Sequence, residues 1–108
     1  MARQYKYRAL VRLDPEADTA GFPLKGGRVV VRAEHHDTHN NKMFSALVSG
    51  VRDEPLHARG HSVELTVTVV GEDVIEYLEV GDTFALWRGH DIGQGLISRR
   101  LPLWVEAP

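Results

Sequence analysis

Apolar side chains recur at every second residue along most of this chain, and no other feature narrows its choice of fold so far. Tyr5, Tyr7, Ala9, Val11 and Leu13 alternate with Lys6, Arg8, Leu10 and Arg12. Successive side chains of an extended strand point to opposite faces, so residues 5–13 read as a strand with one face buried. Residues 28–34 repeat the pattern, with Val29, Val31 and Ala33 inward and Arg28, Val30, Arg32 and Glu34 outward. Residues 62–70 show it most fully, Val63, Leu65, Val67 and Val69 alternating with Ser62, Glu64, Thr66 and Thr68. Further runs at 43–48, 83–88 and 92–101 complete the set. Gly89-His90-Asp91 joins the last two with the spacing of a three-residue hairpin loop. Gly93 and Gly95 inside the final strand predict a bend or a close backbone approach.

Other segments are punctuation. Pro15, Gly21, Pro23, Gly26 and Gly27 make residues 14–27 a long loop, and Pro102 opens a short tail over 102–108. One helical turn is expected at 74–78, where Glu72 and Asp73 precede Val74, Ile75 and Leu78 at helical spacing. Six strands in 108 residues predict a single all-β domain over 1–108, a small closed barrel or sandwich. With 43% hydrophobic and 26% charged residues, the chain can support one core.

Composition removes several classes of function. Thirteen Lys and Arg against fifteen Asp and Glu leave a net charge of −2, so no strong overall field recruits polyanions. The lack of Cys excludes disulfides, thiolate catalysis and Cys-based zinc sites. The longest apolar run is four residues, Phe84 to Trp87, and residues 1–7 carry no apolar stretch of a secretory signal. The expectation is a soluble cytoplasmic domain with no membrane partner.

Catalytic patterns are missing too. His35, Asp37 and His39 are weak candidates for a metal site. On a strand they would share a face about 6.5–7 Å apart, which is wide for chelation, and a solvated loop is the preferred reading. His57, His61 and His90 lack a nucleophile motif to serve, and no Gly-x-x-x-x-Gly-Lys-Ser/Thr loop for a nucleotide can be read. We therefore expect no enzyme activity, no cofactor and no nucleotide.

Binding features are more informative. Trp87 should point outward if Phe84 and Leu86 face the core, making it an anchor for a protein partner beside Arg88, Gly89 and His90. Lys6, Arg8 and Arg12 would join Arg28 and Arg32 in a basic sheet face if their two strands were neighbours, the basis of an alternative reading as an RNA backbone binder.

The stretch from Gly81 to Gly95 resembles the C-terminal barrel, domain 3, of elongation factor Tu, with Gly81, Phe84, Ala85, Gly89, Gly93 and Gly95 at matching places. Upstream, Lys25, Gly26, Arg28 and Asp37 are similar to a further run of that family, so the resemblance covers about residues 5–101. It implies a six-stranded antiparallel closed barrel. It also implies a translation-related binding module that contacts tRNA backbone or a protein partner through Arg28 and the hairpin tip at Gly89. In that family GTP hydrolysis belongs to another domain, so the resemblance implies no catalysis here. This chain departs from the pattern at Trp87-Arg88, where the family has Arg-Glu.

Overall fold

A computed structural model describes residues 3–14, 26–51 and 62–102. Its strands are β1 (Gln4–Leu13), β2 (Gly26–Glu34), β3 (Asn41–Gly50), β4 (Val63–Val70), β5 (Thr83–Trp87) and β6 (Asp91–Leu101). They close into a barrel in the order β1-β4-β3-β2-β5-β6, with every neighbouring pair antiparallel. The six-stranded antiparallel closed barrel expected above is therefore the fold.

The alternation in the sequence becomes the inside and outside of this wall. Tyr5, Tyr7, Ala9, Val11 and Leu13 are buried, as are Val31 and Ala33, Phe44, Ala46 and Val48, and Val63, Leu65, Val67 and Val69. At about 25 cal/mol for each Å² of apolar surface removed from water, this shared interior is the main drive to close the sheet. The space among Tyr7, Val31, Leu78 and Phe84 leaves no water-sized void. Among the described residues no polar or charged residue is buried, and Tyr7 joins the core by donating its hydroxyl to the Leu78 carbonyl at 2.9 Å. Burial pushes the Tyr7 phenol up to about 12, because the phenolate would lose its water.

The final glycines serve packing. A Cβ at residue 95 would stand 2.2 Å from Phe84 Cζ, so Gly95 lets that ring lie against the facing backbone of its own cross-strand partner. At Gly93 a Cβ would come 2.6 Å from the Arg12 carbonyl, which marks the close passage of β6 over β1.

One end of the barrel is covered by the connection from β4 to β5. The expected turn is a short 3-10 helix, Val74–Glu76, and Leu78 N still donates to the Val74 carbonyl at 2.9 Å just beyond it. It buries Val74, and Leu78 follows it into the core. Asp73 does not cap it with its side chain but pairs with Lys42 Nζ at 2.7 Å.

Some expected boundaries move. Gly26 and Gly27 belong to β2, because they pair with Ser49 and Val48, so the loop expected to end at 27 ends before 26. The hairpin connection is Arg88-Gly89-His90, with Asp91 already opposite Trp87. Its turn closes through Arg88 N donating to the His90 carbonyl at 2.8 Å, and Gly89 supplies the positive φ of 76°. Residues 15–25 of the long loop, and 103–108 of the tail with Trp104, lie outside the described residues.

Candidate functional site

The outer face of β3, β2 and β5 brings Arg28, Arg32 and Trp87 of the residues expected to bind onto one surface, with Arg88, Gly89 and His90 in the hairpin that follows β5. Val30 is at its centre, opposite Ser45 on one side and Trp87 on the other. Met43 and Leu47 flank Ser45 along β3 and are 46% and 47% exposed. They lie diagonally across from Val30, about 7–8 Å away in an antiparallel pair. Arg32 and Arg28 stand opposite Met43 and Leu47. The result is an apolar stripe of Met43, Leu47, Val30 and Trp87 with a guanidinium at each end. Trp87 stands opposite Val30 of β2 and is half-buried.

Arg32 ties this face to the hairpin. Its Nε donates to Asp91 Oδ1 at 3.0 Å, its Nη2 to Asp91 Oδ2 at 2.6 Å, and its Nη1 to Asn41 Oδ1 at 2.7 Å. Two parallel bonds fix the guanidinium plane as well as its position. The fork stabilises both charges, raising the Arg32 pKa and lowering that of Asp91. Beside it, over the small side chain of Ala85, opens a shallow polar groove of about 220 Å³ that also meets Glu34 and Gln94. Arg32 of β2 and Asp91 beside the Trp87–His90 hairpin, distant in sequence, are thus bonded on one side of the barrel.

The histidine segment is not part of it and does not converge on a point. His35 Nε2 faces Glu76 Oε1 at 3.2 Å, His36 Nε2 faces Asp82 Oδ2 at 2.6 Å, and His39 Nδ1 faces Glu34 Oε1 at 2.9 Å. Each imidazole has its own carboxylate, and Asp37 lies in the turn with its backbone N–H on His35 Nδ1 at 3.1 Å. His35 therefore accepts on Nδ1 and carries its proton on Nε2. Among the described residues no group of three or more His, Asp or Glu is placed to hold a metal ion. Of the weak metal candidates His35, Asp37 and His39, only His35 ties the β2–β3 loop to the segment capping the barrel, where His36 N also donates to the Glu76 carbonyl at 3.0 Å; Asp37 bonds within the loop and His39 to Glu34 of β2. His57 and His61 lie outside the described residues.

The single basic sheet face is corrected by the topology. β1 and β2 are on opposite walls, separated by β4 and β3 one way and by β6 and β5 the other, so Lys6, Arg8 and Arg12 cannot join Arg28 and Arg32. Arg8 instead faces Arg99 of β6. Met43, Leu47 and Arg99 are the surface residues that sequence reasoning missed. The first two hide inside an apolar run whose alternation was not separated into faces, and the third needs the register of β6. Among the described residues no helix is long and apolar enough to cross a membrane. No family model matches the chain, and no curated protein matches it either.

Proposed function

We propose that this barrel is a non-catalytic binding module, similar to domain 3 of elongation factor Tu, that engages a protein partner through the outer face of β3, β2 and β5. The observation that carries this reading is the stripe of Met43, Leu47, Val30 and Trp87 ending on Arg28 and Arg32. Trp, Met and Arg are the side chains enriched where protein interfaces concentrate their energy. Scattered exposed apolar residues need no explanation, but these four gather around Ser45 on one face of the sheet. The Arg32–Asp91 fork favours the same use, because it holds one end of the stripe rigid before any partner arrives and so lowers the ordering cost of docking. The closed six-stranded barrel is the architecture that the resemblance implies, and the function rests on the surface, since a fold hosts many functions.

The test compares wild type with Trp87→Ala and Leu47→Glu in proximity crosslinking and pull-down. Both variants keep the barrel's circular dichroism, since Leu47 projects outward and Trp87 is outside the core. Both lose the partner, by roughly thirtyfold in affinity for a residue at an interface centre. Recovery of the same partners at equal yield removes the reading.

A further inference from the structure

On the wall opposite the docking face, Arg8 of β1 and Arg99 of β6 stand directly across from each other. Simple alternation would not bring Arg99 there. Ile97 faces the core opposite Ala9, so an unbroken ladder would turn Ser98 outward and drive Arg99 inward. A register shift between Arg8 and Ala9 absorbs Ser98, whose hydroxyl donates to the Arg8 carbonyl at 2.9 Å. Arg99 is thereby turned onto the surface beside Arg8. Bulges of this kind re-aim side chains and recur beside functional sites.

Among the described residues the two positive charges are countered only loosely, by one ion pair from Arg8 to Glu64. Like charges directly opposite in a sheet repel. The Arg8 side chain is only 21% exposed, and its nearest carboxylate oxygen, Glu64 Oε1, is 3.8 Å from Nη1, too far for a hydrogen bond. Its Nε is buried and has no hydrogen-bond partner among the described residues. Such an orphan donor calls for an ion or water to satisfy it. Lys6 stands two residues along β1, about 7 Å away on the same face. Arg100 is turned aside, its guanidinium 5.1 Å from the Tyr5 ring.

We propose that Arg8 and Arg99, with Lys6 beside them, form a binding site for a phosphate group. A guanidinium fork matches phosphate oxygens, and a tetrahedral anion can accept from two forks at once, so two arginines facing each other on adjacent strands suit it. The group could be inorganic phosphate or a phosphodiester of a nucleic-acid strand. Neither source involves the β3–β2–β5 face, so this site and the protein-docking face stand or fall separately.

The test follows the Arg8 Nε–Hε signal by NMR during titration with sodium phosphate, against sodium chloride at equal ionic strength, and then with a short single-stranded oligonucleotide. Phosphate gives a saturable shift of that signal, and Arg99→Ala, an exposed position, weakens it about tenfold, the scale of one lost charge-assisted contact. Arg88→Ala at the hairpin tip leaves it unchanged. An oligonucleotide that binds more tightly than phosphate, with affinity falling steeply as salt rises, identifies the strand as the source; one that does no better identifies the free ion. No shift with either probe, an equal shift with chloride, or undiminished affinity in Arg99→Ala overturns the proposal.

Discussion

Gly95 carries more of the fold than its size suggests. Phe84 is directly opposite it, and the absent Cβ is what gives the ring its place, 2.2 Å from where a methyl carbon would stand. Gly95→Ala must push the ring out of a packed interior, and overpacking of this kind costs about 1–3 kcal/mol. Urea denaturation should show that loss in the single variant. Phe84→Leu in the same background should recover part of it, because the shorter side chain leaves room for the methyl. Additive losses in the double variant would mean the two residues do not share that space. The same logic of contact rather than composition separates Trp87 from Phe84 three residues earlier: one ring is at the surface, the other fills the core.

Among the elements, the β2–β3 loop is held by imidazole–carboxylate pairs, of which His36–Asp82 is the shortest at 2.6 Å. The hydrogen bond to Asp82, helped by the charges of Asp82, Glu79 and Asp37, raises the His36 pKa above its ordinary value. A raised folded-state pKa means that the native protein holds this proton more tightly than the unfolded chain does. The pair therefore contributes fully below the unfolded value of about 6.5 and fades as pH rises through the higher folded one. His36→Gln keeps a hydrogen-bond donor but cannot titrate. The stability difference between wild type and this variant should shrink between about pH 6 and pH 8, by less than about 1 kcal/mol for so exposed a pair. His35 and His39 are present in both proteins, so the difference isolates His36. A difference that stays constant over that range would show that the ion pair adds nothing.

For the whole molecule, closure depends on the pairing of β2 with β5. That ladder consists of Val30 with Trp87, Val31 with Leu86 and Arg32 with Ala85, whereas β2 meets β3 along its entire length. A barrel opens where the fewest ladder bonds and buried contacts must break together. Native-state hydrogen exchange should find the short β2–β5 ladder at Ala85–Trp87 opening at a lower free energy than Lys6–Leu10, which lies in the longer ladders of β1 with β4 and β6. Equal protection in both segments would show that the seam does not act as a separate unit. Because the docking face spans this seam, a bound partner should raise its protection by mass action.

The number of strands, the buried face of β1, β2 and β4, and the packing roles of Gly93 and Gly95 could be read from the chain alone. Alternation is a local property: each side chain's direction is set by its immediate neighbours, and burial follows from that direction. The spacing that marked out Trp87, Arg28 and Arg32 was legible for the same reason. Which strand lies beside which is not local. β1 and β2 follow each other in sequence yet occupy opposite walls, and only that arrangement divides Lys6 and Arg8 from Arg28 and Arg32. Likewise the shift that turns Arg99 outward depends on pairing between residues more than eighty positions apart, as at Arg8 and Arg99. Long-range register is decided by how all six strands bury their apolar faces at once, so the composition of each surface belongs to the tertiary structure.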